Sequence, residues 1–211
     1  MIREIIEHGG PISWFIMFLA VVAISVFVER LFSLMKEKKS LIDLRNELED
    51  DLNRKDFKGA LEAADSSNSI AGRLFFEIIN KKTHKKIVLK NKLEETSSIE
   101  VPHYWKNLNI LSVIVTIAPL LGLLGTVFGM LTSFGEIEAF AEAGKGVYGP
   151  SVIAGGIKKA LITTVLGLSV AIPVYMGYSY LTSYVERLTL LLEKISYEMI
   201  DLILENRDSD S

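Results

Sequence analysis

The chain has no cysteine, and only three histidines and five prolines, among its 211 residues. Without thiols there is no disulfide framework, thiolate metal site, cysteine nucleophile or iron–sulfur cluster. His8, His84 and His103 lie in different segments with no partner at ligand spacing. No other cluster supplies a positioned acid, base or nucleophile, so no catalytic residue, no metal and no cofactor is expected, and the chain is not read as an enzyme. Charge is the most telling absence. Asp, Glu, Lys and Arg are missing from Gly9 to Val28, from Asn107 to Gly135 and from Ala160 to Val185, runs of 20, 29 and 26 residues. At about 1.5 Å per residue, roughly 20 apolar helical residues cross the hydrocarbon of a bilayer. These runs exclude an ordinary soluble globular domain. They also exclude a porin-type barrel, whose strands alternate over about ten residues.

The fold expected is all-α: a polytopic membrane protein with three transmembrane helices and long cytoplasmic helical extensions. The first apolar run is followed by Glu29-Arg30-Leu31-Phe32, with no small-x-small cleavage site, and reads as a retained anchor. Of the 23 Lys and Arg residues, 16 fall between Arg30 and Lys106, which places that segment in the cytoplasm by the positive-inside rule. The expected order is an outward-facing segment 1–10, transmembrane helix 11–29, cytoplasmic helical region 30–106, transmembrane helix 107–135, periplasmic loop 136–157, transmembrane helix 158–185 and cytoplasmic C-terminal helix 186–211. Lys158 and Lys159 stand on the wrong side for the rule, at the outer mouth of the third span.

In the cytoplasmic region, Leu31, Leu34, Met35, Leu41, Leu44, Leu48 and Leu52 form one apolar stripe at helical spacing. Asp56 to Ala64 predicts a second short helix, Asp65 to Ser69 a turn, and Ile70 to Asn80 a third helix. The basic run Lys81 to Lys92 reads as a solvated face near anionic lipid, and no nucleic-acid binding is expected. The tail from Glu186 to Glu205 is amphipathic and continues the third span.

Small and hydroxyl-bearing residues recur at helical spacing within the later spans. Ser112, Pro119, Thr126 and Ser133 are seven apart, with Gly122 and Gly129 on nearly the same side. Ala160, Thr164, Gly167, Ala171, Tyr178 and Thr182 share about a third of the third span's circumference. Such faces pack helices closely, as in Gly125-xxx-Gly129. They also suit a pathway, because hydroxyls hold water or a cation without the cost of a buried charge. Ser112, Thr126, Ser133, Thr163 and Thr164 are therefore the candidate ion-pathway residues; Pro119, Gly122, Gly125, Gly129, Gly167 and Pro173 are the candidates for helix shaping and packing. Gly155-Gly156 is expected to loosen the outer loop.

Ala118 to Met130, APLLGLLGTVFGM, with Phe134, and Ile157 to Pro173, IKKALITTVLGLSVAIP, resemble the two signature spans of the ExbB/TolQ/MotA proton-channel family, closest to its ExbB and TolQ branches. The order of three spans and the cytoplasmic insert match those branches over essentially the whole chain. The resemblance implies an inner-membrane subunit forming a homo-oligomeric ring, typically a pentamer, around two copies of an ExbD/TolR-like single-span partner carrying a membrane aspartate. Proton flow through that aspartate would energise the outer membrane through a TonB- or TolA-like protein. Thr126 and Thr164 fall on the family's pore-lining threonines, Pro119 and Pro173 on its span prolines, and Gly122, Gly125 and Gly167 on its packing glycines. Two positions depart from the pattern: Lys159 stands where a glutamate is common, which makes it a candidate gating residue, and Tyr178-Ser179 stands where Tyr-Asn is usual.

The reading favoured is an ion-driven motor subunit. A proton path needs a titratable group, and the charge-free runs offer no carboxylate or histidine, so the carrier must come from another chain. A non-conducting membrane scaffold is the alternative of a different class, and a sodium-driven motor is a variant of the first, since threonine hydroxyls also suit a hard cation.

Overall fold

A computed structural model describes residues 10–81, 85–142 and 150–208, with side chains described for most of them. Among the described residues there is no strand. Helix α1 runs Gly10–Asn53, α2 Phe57–Ser66, α3 Ile70–Asn80 and α4 Lys86–Glu100; a 3₁₀ turn, Val101–Trp105, leads to α5 Leu108–Glu142, and α6 runs Pro150–Asp208. Three of these contain segments long and apolar enough to cross a membrane: Pro11–Asn53, Leu108–Ala139 and Ala154–Asn206. Because α1 and α6 are unbroken, the first span and the Leu34-to-Leu52 stripe belong to one helix of 44 residues, and the third span and the amphipathic tail to one of 59.

Helices outrun the charge-free stretches because charge reports where the chain leaves the hydrocarbon, not where its backbone hydrogen bonding stops. In the expected loop 136–157, the described residues 136–142 and 150–157 are helical. Gly155 and Gly156, expected to loosen that loop, lie inside α6. Residues 1–9 of the expected outward-facing segment 1–10, with His8, lie outside the described residues, as do residues 82–84 of the basic run, with His84, and the side chain of Lys159; Gly10 already belongs to α1.

The chain divides into two compact units. The first holds residues up to Val28 and Asn107–Tyr180. Here α1 turns Ile16 and Ala23 inward and leaves Trp14, Phe18, Val21 and Ile24 exposed. The Phe27 ring lies over Gly177 of α6, where an added Cβ would come within 3.0 Å of it. The seam between α5 and α6 is described below.

The second unit holds Glu29–Lys106 and Leu181–Ser211. Its core joins Leu34, Leu41, Leu44, Leu48 and Leu52 of α1 with Phe75 and Ile78 of α3, Leu89 and Leu93 of α4, and Leu188, Leu192, Ile195 and Ile203 of α6. Local signals set the short helices. Lys55, at φ 59°, takes the left-handed conformation that ends α1, and Asp56 caps α2 by accepting from the Gly59 amide at 2.9 Å. Ser69 caps α3 through the Gly72 amide at 3.0 Å, and Glu37 of α1 accepts from the Ile70 amide at 3.2 Å. Arg73 pairs with Glu100 at 2.7 Å, and this hydrogen bond raises the Arg73 pKa further above its ordinary value. Lys92 bridges to Glu77 at 3.2 Å, Arg45 to Glu198 at 3.3 Å, and Lys86 to Asp201. Tyr104 of the 3₁₀ turn is buried, and among the described residues its hydroxyl has no hydrogen-bond partner. Burial, reinforced by the charge of Glu37, holds its phenol well above the usual tyrosine range. Asn107, at φ 63°, makes the left-handed turn from this segment into α5.

Candidate functional site: the seam between two membrane helices

Residues buried along α5 are Leu108, Leu111, Ile114, Ala118, Gly122, Gly125, Gly129 and Ser133, spaced by threes and fours. From Ala118 onward every member is small, and the facing buried residues of α6 are Ala160, Thr163 and Gly167. The consequence is close backbone approach. A Cβ at Gly122 would lie 2.9 Å from the Thr163 carbonyl oxygen, and one at Gly129 would lie 3.0 Å from the Ala160 Cβ. One at Gly125 would strike the Thr163 side chain, and one at Gly167 would meet the Ala118 carbonyl oxygen at 2.5 Å and the Gly122 Cα at 3.2 Å. At the far end, Gly156 leaves room for the Ser133 hydroxyl.

Hydrogen bonds fasten the same seam. The Gly122 carbonyl accepts from both Thr163 and Thr164 of α6, at 3.3 and 3.2 Å. Thr163 also donates to its own helix at Ala160, 2.6 Å away. Ser133 donates to the Gly129 carbonyl at 2.9 Å. Each hydroxyl thus meets a backbone acceptor, which removes the cost of an unsatisfied polar group in an apolar surround.

The structure sorts the candidate residues into two sets. Ser133, Thr163, Gly122, Gly125, Gly129 and Gly167 lie buried in the seam, while Thr164 is half-buried at its edge and bonded across it. Ser112, Pro119 and Thr126, one position round the helix from the seam residues Leu111, Ala118 and Gly125, are half-buried at the rim. Thr126 donates its proton to the Leu123 carbonyl at 2.6 Å, so its oxygen keeps only lone pairs to offer. Thr116 donates to the Ser112 carbonyl at 3.1 Å. Pro173 is exposed, one helical turn beyond Ser169 and away from the seam. Lys159, the candidate gate, adjoins buried Ala160, and its side chain lies outside the described residues. Sequence reasoning missed Ala118 and Gly156 as contact residues. The first is legible as the start of the 118, 122, 125, 129 series of small residues; the second was masked by the expectation that Gly-Gly means a loop.

Among the described residues no group of His, Cys, Asp and Glu side chains is placed to hold a metal. The seam is chemically neutral: it packs two helices and presents hydroxyl oxygens and small faces, with no acid or base of its own.

Comparison with known proteins agrees with this picture. Residues 66–194, which contain α5 and the span of α6, match the model of the MotA/TolQ/ExbB proton channel family. The chain is 25% identical over 186 residues to a biopolymer transport protein ExbB homolog of Methanothermobacter thermautotrophicus, covering 88% of this chain and 64% of that protein. It is 28% identical over 192 residues to an ExbB-like biopolymer transport protein of Synechocystis, covering 88% of each. Over 86 residues it is 38% identical to the exbB1 biopolymer transport protein of Vibrio cholerae, covering 41% of this chain and 36% of that protein. With three apolar helices, two of them joined by this small-residue seam, the chain is a multi-pass membrane protein that belongs to the MotA/TolQ/ExbB proton channel family.

Proposed function

We propose that the chain is the ring-forming inner-membrane subunit of an ion-driven motor, conducting protons together with an ExbD/TolR-like single-span partner. The observation that carries this reading is a mismatch between family and residues. The chain belongs to a proton channel family, yet Asn107–Gly135 and Ala160–Val185 contain no Asp, Glu, His, Lys or Arg. The seam therefore serves as the wall of a pathway whose titrating group is the partner's membrane aspartate. Thr126, with its proton committed to Leu123, offers an acceptor oxygen at the rim, suited to the protonated carboxyl of such a group, to water or to a bare cation. Ser112 and Thr164 extend that rim, Ser133 and Thr163 brace it, and a homo-oligomer, a pentamer in this reading, closes it. A TonB- or TolA-like protein then carries the movement to the outer membrane, with the N-terminus in the periplasm and the C-terminus in the cytoplasm. Sodium in place of protons is the variant within this reading.

One observation favours the scaffold alternative: Thr126, Ser133, Thr163 and Thr164 all donate to backbone carbonyls, as helix-packing residues do. Co-expression with a single-span protein carrying a membrane aspartate separates the readings. A motor subunit co-purifies with that protein and, in proteoliposomes, passes protons at a rate abolished by changing the aspartate to asparagine. A scaffold gives a complex with no flux above empty vesicles, and that result would refute the motor.

A further inference from the structure

We propose that the cleft lined by α2, α3 and α4 binds an aliphatic diamine. All of its residues belong to the second unit and none to the seam, so the inference does not depend on the chain's being a motor.

The cleft encloses about 290 Å³, near the lower bound for ligand pockets, so its occupant is small. Its walls carry four carboxylates, Asp65, Glu77, Glu95 and Glu100, against two cations, Arg73 and Lys92. The balance is negative by two charges. Both cations are already committed, Arg73 to Glu100 at 2.7 Å and Lys92 to Glu77 and Glu95 at 3.2 and 3.4 Å. Asp65 makes no ion pair among the described residues. The negative end of α2 adds to the bias, since Ala64, Asp65 and Ser67 bring that end to the cleft and its last turn holds no basic residue. The occupant such walls favour is a cation.

The arrangement also selects the kind of cation. Among the described residues no group of three His, Asp or Glu side chains is placed to hold a metal ion, so these four carboxylates are spread round the cleft instead of converging on one point. Spread charge suits an extended ion charged at both ends. Phe76, half-buried, and Ile99, 62% exposed, supply apolar wall along which a methylene stem can lie. Thr96 points to a ligand independently. It lines the cleft and is only 8% exposed, yet its hydroxyl has no hydrogen-bond partner among the described residues. A hydroxyl in that position is costly to leave unpaired, and an ammonium N–H satisfies it. Asp65 stands on the α2 wall, Glu95 and Thr96 on the α4 wall. One ammonium of a diamine then meets Asp65, the other meets Glu95 and the Thr96 hydroxyl, and the two together bring the cleft to neutrality.

A merely acidic surface would attract any cation diffusely, and its carboxylates would then be interchangeable. The test is calorimetric titration of the purified full chain in mixed micelles with cadaverine, and with pentylamine and pentanol as its singly charged and neutral counterparts. Cadaverine should bind about tenfold or more tighter than pentylamine, and pentanol weakest of the three. Asp65→Asn should weaken cadaverine about ten- to a hundredfold, the loss of one hydrogen bond between charged groups, and Thr96→Val about two- to tenfold. Glu94→Gln removes the same charge from an exposed position of α4 outside the cleft, and should change the affinity by no more than about twofold. Asp65 is exposed and Thr96→Val keeps volume, so helicity should be unchanged in all three variants and is checked by circular dichroism. Equal effects of Asp65→Asn and Glu94→Gln, or cadaverine binding no tighter than pentylamine, overturn the proposal. So does displacement of cadaverine by magnesium at matched ionic strength, which would mark a site for a metal ion.

Discussion

Replacing Gly167 with alanine tests whether backbone approach holds α5 and α6 together. The new Cβ would lie 2.5 Å from the Ala118 carbonyl oxygen and 3.2 Å from the Gly122 Cα. Both obstacles are backbone, so no side chain can swing aside. Restoring ordinary contact distances separates the helices by roughly 0.7 Å. The bonds from Thr163 and Thr164 to Gly122, now 3.3 and 3.2 Å, would lengthen to about 4 Å, beyond hydrogen-bond range. Each such bond between membrane helices contributes on average about 0.6 kcal/mol, and overpacking costs typically about 1–3 kcal/mol. Alanine's helix propensity returns up to about 1 kcal/mol. The net expectation is a loss of about 1–3 kcal/mol. Gly135→Ala is the matched control, because nothing lies within 4 Å of the Cβ it would add. Only propensity acts there, and that variant should be neutral or slightly stabilised. Unfolding of the purified chain in mixed micelles with increasing denaturing detergent, followed by far-UV circular dichroism, compares the two. If Gly167→Ala is no less stable than Gly135→Ala, the close-packed seam is not what holds these helices.

Thr163→Val should destabilise by about 1 kcal/mol, since it deletes a buried donor shared between Ala160 and Gly122. Thr126→Val, at the rim, should leave stability alone and lower proton flux in proteoliposomes; unchanged flux would make Thr126 a packing residue. Tyr104→Phe removes a buried hydroxyl that has no partner among the described residues and should raise stability by up to about 1 kcal/mol near neutrality. Because the folded phenol titrates above the ordinary value near 10, its contribution is complete below about pH 10 and is lost as pH rises above it. Tyr104→Phe should abolish that alkaline loss, read from Trp105 fluorescence in a Trp14→Phe background; an identical loss in both chains would show that other groups cause it. Lys159→Glu should increase ion flux or change its ion preference, with Lys159→Gln between. Equal rates for all three under proton and sodium gradients would end the gating role.

Three spans were legible because charge is excluded from hydrocarbon so strongly that its absence needs no help from packing. The stripe Leu31, Leu34, Met35, Leu41, Leu44, Leu48, Leu52 was legible in large part for a related reason: five of the seven are buried, while Leu31 is half-buried and Met35, at the edge of the face, is exposed. Helix ends were not. Nothing in composition says that α5 continues to Glu142 or that α6 begins at Pro150, because a polar helix outside the membrane and a polar loop have similar residues. The seam was half legible. Spacing of seven drew Ser112, Pro119, Thr126 and Ser133 into one face, but the packed face follows threes and fours, so three of those four fall at the rim. Only partner positions separate the two, and spacing along one helix does not encode where its neighbour lies. Thr163 shows the same limit: its link to Gly122, 41 positions away, has no local signature.

The Gly122 carbonyl oxygen takes two hydroxyl hydrogen bonds from α6 in addition to its place in the helical ladder of α5. Extra donors weaken a carbonyl bond and lower its vibrational frequency. An isotopic label on that single carbonyl would therefore absorb at lower frequency than one at an ordinary position of the same helix. Its shift back toward the normal helical band would report separation of the two helices, giving the membrane unit a one-bond spectroscopic gauge that needs no added probe and leaves every contact of the seam intact.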